Sequence, residues 1–345
     1  MTITERENLL RVARGEEPAW VPRKGIVPFQ DVDPENHKPC AMGAMAMVHP
    51  PKRGANGGRI DIFGVEYEPT DSTGGLELPM PNKFILSDVR KWRDVIKVPS
   101  LEGIDWRAIA EKATEHIDRE NCCVNMGTHV GYFQHLMNFM GFTEGLCALQ
   151  EEPEEVYQLY EYLADYYETI YKNLIGYIKP DFYGLTDDTA TARSPFISME
   201  MYRELVKPFH ARLAKIGTDH DCYIEMHNCG RCEDAIDDWI EFGVSFWNPA
   251  QVSNDLVGIK KKYGNKFVLN GCWDSQGPAG WPGADEEFVR QAVRDCIDTF
   301  APGGGFCFWA SLYGSKDTEA AARQHAFWIT DEYNKYGRTF YQRQG

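Results

Sequence analysis

Glu225, His227 and Cys229 alternate along one short apolar run, Cys222-Tyr223-Ile224-Glu225-Met226-His227, that continues into Asn228-Cys229-Gly230. In an extended strand alternate side chains share a face, so Tyr223, Glu225 and His227 point one way and Cys229 follows just past the strand end. An imidazole and a thiol two residues apart can reach one ion. Zn2+ takes nitrogen and thiolate ligands in tetrahedral geometry. Two local ligands are too few, and Cys307 is the first choice for a third, 78 positions further on inside another apolar run. Cys232 and Cys272 compete for that role. The plainer alternative is a hydrogen-bonded His227 and a buried Cys229 thiol. The position of the pair at a strand end, with another cysteine at a distant strand, favours the metal.

A second constellation is Asp187-Asp188, again at the end of an apolar run. Paired carboxylates can hold a substrate proton or bind a cation, and their pKa values can split. Alternatively, they cap the turn that follows. Glu225 is a further candidate, as an additional ligand or a proton donor. Asn125, His129, Asn248 and Asp274 also stand at strand ends, and Asn125, His129 and Asn248 are candidate substrate contacts. Trp247, Trp309 and Tyr313 are the aromatic candidates for the same surface.

These residues need a frame that brings many strand ends together. Seven short apolar runs, at 25–29, 122–127, 181–188, 222–227, 244–249, 266–271 and 305–309, each end in polar or reactive residues. Helical apolar spacing fills 154–178, 198–215, 231–242, 254–263, 285–300 and 317–336. Strand–helix alternation with short links predicts a parallel α/β fold. Ligating residues at the ends of many different strands favour a single (β/α)8 TIM barrel over residues 1–345, because barrel active sites are built that way. An open doubly wound sheet would gather them at one switch point. An eighth strand is expected among residues 60–100. Residues 30–85, rich in Pro, Gly and Met, break the rhythm and read as an irregular N-terminal insertion, either a lid or a packed loop.

Composition narrows the partners. The net charge is −16 over 345 residues, without a basic stripe, so nucleic acid and anionic membranes are poor partners. Residues 4–12 read as a capped amphipathic helix, not a signal peptide, and no run of 18 apolar residues occurs, which predicts a cytoplasmic protein. Ten cysteines in a reducing compartment are buried thiols, ligands or reactive groups before they are disulfides. Cys40, Cys147 and Cys296 read as packing. The Tyr-rich face of 154–178 is a candidate surface for a homodimer.

The chain resembles the uroporphyrinogen decarboxylase superfamily across nearly its whole length. The likeness rests on Asp61-Ile62-Phe63-Gly64-Val65-Glu66-Tyr67, Val98-Pro99 before Asp105-Trp106, and Asp187-Asp188 followed by Ser198 and Pro208. It continues through His227-Asn228-Cys229-Gly230, Trp247-Asn248-Pro249 and Gly303-Gly304-Gly305-Phe306. Within it, the cobalamin-linked methyltransferases look closer than the decarboxylases. The resemblance implies a barrel, zinc on His227, Cys229 and Cys307, and a corrinoid delivered by a corrinoid-binding partner protein. It implies methyl transfer, with O-demethylation of a methoxylated aromatic favoured. The thiol-methylating members carry Pro-Gly-Cys-Gly around the late cysteine, where this chain has Gly305-Phe306-Cys307-Phe308. A decarboxylase would need a richer cationic clamp than Arg23-Lys24. A non-catalytic corrinoid- or metal-binding module is the remaining alternative.

Overall fold

The computed structural model describes residues 3–24, 47–70, 77–281, 283–310 and 319–343. Four short strands come first: β1 (Lys52–Arg53) pairs with β2 (Arg59–Ile60), and β3 (Tyr67–Pro69) with β4 (Glu77–Pro79), each pair antiparallel. Then β5 (Asn125–Gly127), β6 (Phe182–Thr186), β7 (Tyr223–His227), β8 (Val244–Ala250), β9 (Val268–Cys272) and β10 (Phe306–Trp309) form one parallel sheet. Its spatial order is the chain order, so each strand lies beside its successor and a helical crossover joins them.

Each expected run from 122 onward becomes one of these strands, and each expected helical segment contains helix. Two expectations change. The described part of 60–100 contributes no strand to the main sheet; its strands belong to the two small antiparallel pairs. The insertion expected to be irregular at 30–85 carries those pairs. Tyr67 and Val65 are buried there, so this part is packed structure. Residues 25–29, the first expected strand, lie outside the described residues. Just before them, Arg23 bridges Phe308 in parallel sense and the Phe308 N–H donates to the Pro22 carbonyl at 2.8 Å, on the outer edge of β10.

The elements follow from local chemistry. Thr4 caps the helix Glu5–Ala13, its hydroxyl accepting from the Glu7 N–H at 3.1 Å. The helix Pro153–Ile178 starts on a proline that needs no N–H there, and ends at Lys179 in the left-handed region. It buries Val156, Leu159, Tyr160, Leu163, Ile170, Leu174 and Ile178, the three-and-four spacing of one face. Each such aliphatic side chain contributes about 1.5–3 kcal/mol on burial.

Along the strands, residues alternate between this helical layer and the opposite, inward face. The lower part of the inward face is apolar: Phe182, Phe246, Val268, Cys307 and Cys123 pack on Leu9 and Val12 of the N-terminal helix. That helix is tied in place where the Arg6 N–H donates to the Asn121 carbonyl at 2.7 Å and the Arg6 guanidinium pairs with Asp181 at 2.5 Å. No helix among the described residues is long and apolar enough to cross a membrane.

Candidate metal centre

The carboxyl ends of β6 and β7 lie side by side, with Thr186 in register with His227. The chain leaves β6 through Asp187 and Asp188 while the loop after β7 carries Asn228, Cys229 and Gly230 back across it. The two segments are fastened together. The Asp187 N–H donates to the His227 carbonyl at 3.0 Å, and the Thr189 N–H to the Asn228 amide oxygen at 3.1 Å. The Asn228 amide NH2 donates to the Thr189 hydroxyl at 2.9 Å. Gly230 makes the turn possible: its φ is 93°, and a Cβ there would lie 2.6 Å from the carbonyls of Ala190 and Thr191.

This fastening brings Asp188, His227 and Cys229 together. One donor atom from each lies within 4.8 Å of the others, the one such group of His, Cys, Asp or Glu among the described residues. Cys229 Sγ lies 3.8 Å from His227 Nε2. Across a tetrahedral zinc with ordinary Zn–S and Zn–N bonds, that separation is about 3.6 Å, so a small closure makes a site. Asp188 Oδ1 accepts from the Cys229 backbone N–H at 2.8 Å, and Gln134 Nε2 donates to its other oxygen at 3.2 Å.

Electrostatics favour a cation between these groups. Burial pushes the Cys229 thiol well above its ordinary value, and the Asp188 carboxylate, by its charge and a hydrogen bond, pushes it further. A carboxylate oxygen within 4.8 Å of a half-buried thiol makes a place where a cation is favoured. A divalent ion there would release the thiol proton and take both groups as anionic ligands. Imidazole nitrogen, thiolate and carboxylate are ordinary zinc donors, and three protein ligands leave a fourth position open.

The His227 ring is held from behind. Its Nδ1–H donates to Asn248 Oδ1 at 2.6 Å, which leaves the Nε2 lone pair facing Cys229. Glu225 is the next residue on the same face down β7. Asn270 Nδ2 donates to Glu225 Oε1 at 3.3 Å, and the Lys24 ammonium pairs with Oε2. Burial alone would raise the Glu225 pKa; the Lys24 charge and the hydrogen bonds from Lys24 and Asn270, with the Asn248 amide nearby, outweigh it and hold the carboxyl below its ordinary value. Glu225 is therefore a buried partner of Lys24 and is not among the three converging donors.

The paired carboxylates part company. Adjacent residues on extended backbone point to opposite faces, and Asp187 turns away from the three donors into the protein, fully buried. It accepts from the Phe133 and Gln134 N–H groups, at 3.0 and 3.1 Å, at the start of the helix Tyr132–Met140. It also accepts from His210 Nε2 at 3.0 Å. Gly131 lets the helix come this close, since a Cβ there would meet Asp187 Oδ1 at 2.6 Å. Trp239 donates to the Tyr202 hydroxyl, which donates to His210 Nδ1, both at 3.1 Å. Asp187 thus ends a buried chain of donors and caps a helix, though not the turn that follows it in sequence.

The other expected residues divide. Cys307 is fully buried in the apolar lower layer, in register with Asn270, and does not join the three donors. Cys232 is turned toward the carbonyls of Asn228 and Cys229, at 3.6 and 3.1 Å. Cys272 is buried at the end of β9, and its carbonyl accepts from the Cys296 thiol at 3.5 Å. Trp247 is fully buried on the helical side of β8, beside Trp239, and donates to the Asn228 carbonyl at 3.0 Å. It supports the loop and offers nothing to the mouth. His129, with φ 50°, is exposed near His227; partial burial of its ring and then the His227 charge lower its pKa. The buried Asn125 Oδ1 and Trp309 indole N–H have no hydrogen-bond partner among the described residues. Tyr313 lies outside the described residues.

No family model and no curated protein matches the sequence. Among solved structures, a methyltransferase from Methanosarcina mazei is similar in fold: TM-score 0.59 at 13% identity, over 97% of this chain and 99% of that one. The likeness covers both chains almost end to end, so the two share one overall architecture.

Proposed function

We propose that this chain is a zinc-dependent methyltransferase that moves a methyl group between a small substrate and a corrinoid carried by a partner protein. The favoured reaction is O-demethylation of a methoxylated aromatic. One observation carries the reading: the donors of Asp188, His227 and Cys229 converge at the carboxyl ends of two parallel strands, in a fold shared with a methyltransferase. The frame in this proposal is a closed (β/α)8 barrel, cytoplasmic, with the metal at its mouth. Pairing of residues 22–23 on the outer edge of β10 supports closure, as does the N-terminal helix plugging the inward face from below.

Asp188, His227 and Cys229 hold the ion, and Cys307 gives way to Asp188 as the third ligand. Zinc there supplies Lewis acidity to the oxygen that loses its methyl group, which matters because a phenol's pKa of about 10 makes phenolate a poor leaving group near neutral pH. The chain's own residues do the rest. The cross-fastened loops keep the donors fixed, and His129, Asn125 and Trp309 are placed to touch a flat aromatic. The departure from Pro-Gly-Cys-Gly around Cys307 argues against a thiol acceptor.

Anaerobic assays test this directly. Zinc-loaded protein with cob(I)alamin and a methoxyarene is expected to yield methylcobalamin and the free phenol. Methylation of a thiol by methylcobalamin, with no turnover of the arene, would replace this reading with thiol methyl transfer. Turnover undiminished after removal of zinc would end the metal-based proposal.

A further inference from the structure

We propose that Gln134 is a positioning residue for the metal centre: its side-chain amide aims the Asp188 carboxylate at His227 and Cys229, from a helix start that Asp187 caps. This rests on the metal-centre reading above and adds to it what orients one ligand.

The helix Tyr132–Met140 begins without a cap of its own. Gly131 holds the capping position and makes no side-chain hydrogen bond there. A polar side chain at that position ordinarily accepts from the second or third N–H of the helix. Asp187 does this work from the end of β6. Its Oδ2 accepts from the Phe133 N–H at 3.0 Å and its Oδ1 from the Gln134 N–H at 3.1 Å, 54 and 53 positions away in sequence. A side chain on residue 131 would destroy the arrangement, because a Cβ there would lie 2.6 Å from Asp187 Oδ1. His210 Nε2 holds the same carboxylate from the other side at 3.0 Å. The first turn of the helix and the end of β6 are thus one rigid piece.

Gln134 carries that rigidity across to Asp188. It is the third residue of the helix, and side chains at that position fold back over the helix start. Here the amide does so: the same Cβ on residue 131 would lie 2.6 Å from Gln134 Oε1. The other end of the amide, Nε2, donates to Asp188 Oδ2 at 3.2 Å. A carboxylate only accepts, so the amide can make this bond one way round. Asp188 Oδ1 meanwhile accepts from the Cys229 N–H at 2.8 Å. Two donors from two different elements, one on each oxygen, fix both the rotation of the carboxylate and its place beside Cys229. Each oxygen keeps a lone pair for an ion. One residue therefore reads both acids, Asp187 through its backbone and Asp188 through its side chain.

Gln134→Leu removes the NH2 and keeps the backbone bond to Asp187, so the helix start stays capped and the denaturation midpoint is expected to stay close to wild type. Gln134→Asn, one methylene too short to reach Asp188, is the second variant and is expected to behave alike. Zinc affinity, by chelator competition on the full-length chain, is expected to fall about 10–100-fold in both. With Co2+ in place of zinc, the thiolate charge-transfer band from Cys229 is expected to remain while the d–d bands shift, the mark of a displaced carboxylate. A further readout needs no metal. In chelator-stripped, 15N-glutamine-labelled protein, the Gln134 NH2 signals, assigned by their loss in Gln134→Leu or Gln134→Asn, are expected to move in Asp188→Ala. Unchanged zinc affinity in both Gln134 variants, or NH2 signals indifferent to Asp188→Ala, would overturn the proposal. NH2 signals that respond to Asp188→Ala in a protein that binds no zinc would keep the orienting contact and remove the metal reading. Zinc bound by wild type and equally well by both Gln134 variants would keep the metal reading and remove this one.

Discussion

The inward face of the sheet holds two layers of opposite character, and each contains a cysteine. Cys307 sits low, fully buried among Phe182, Phe246, Val268, Cys123 and the N-terminal helix. Cys229 sits at the mouth, half-buried, with Asp188 and His227 beside it. Burial raises both thiols; around Cys307 the Lys24 charge opposes the rise and Glu225 and Cys123 add to it, whereas at Cys229 Asp188 adds to it unopposed. One thiol fills space; the other lies within 4.8 Å of a carboxylate oxygen and an imidazole nitrogen. Height along the strand separates packing from chemistry here. The same division splits Asp187 from Asp188, one sealed under a helix start and the other open to the donors.

The sharpest break of this contrast is the carboxylate pair. Asp187→Ala strands two helix N–H groups and His210 in the interior and is expected to cost about 3–5 kcal/mol in chemical denaturation. Asp188→Ala gives up hydrogen bonds near the surface of the mouth and is expected to cost about 1 kcal/mol, while zinc is lost. Similar stability losses in the two variants would erase the distinction. The cysteine pair gives a smaller effect. Cys307→Ser buries an unpaired hydroxyl in the apolar layer, for about 1–3 kcal/mol, with zinc content unchanged. A third test uses pH. The Cys229 thiol must lose its proton to bind metal, and its raised pKa keeps that proton on through the neutral range. Apparent zinc affinity is therefore expected to rise about tenfold per pH unit between roughly pH 7 and 9, about 1.4 kcal/mol per unit. A flat profile would mean that Cys229 is not a ligand.

Much of this was legible in the sequence because it is local. The two-residue period of β7 placed Glu225 and His227 on one face with Cys229 just beyond. Apolar periodicity located the strands from β5 to β10 and the helices from residue 154 onward, but not the helices Trp106–Thr114, Tyr132–Met140 and Phe142–Glu151. What escaped was register. Asp188 becomes a donor because Thr186 stands opposite His227, a pairing that no local pattern encodes. Cys307 faces inward as expected, but it pairs with Asn270, two residues below the end of β9, and so belongs to the floor. Trp247 lies one residue from Asn248, and that single step sends it to the helical side. The Lys24–Glu225 pair spans 201 positions and gives Glu225 a structural partner where a proton donor was expected. Residue type and spacing named the chemistry; neighbouring strands decided which residues perform it.

The most direct test is zinc content of anaerobically purified wild type, Asp188→Ala, Cys229→Ala and Cys307→Ala, measured side by side. This account predicts about one zinc per chain in wild type and Cys307→Ala, and little or none in the other two. Zinc lost from Cys307→Ala but kept in Asp188→Ala would contradict it and move the metal toward the last strand.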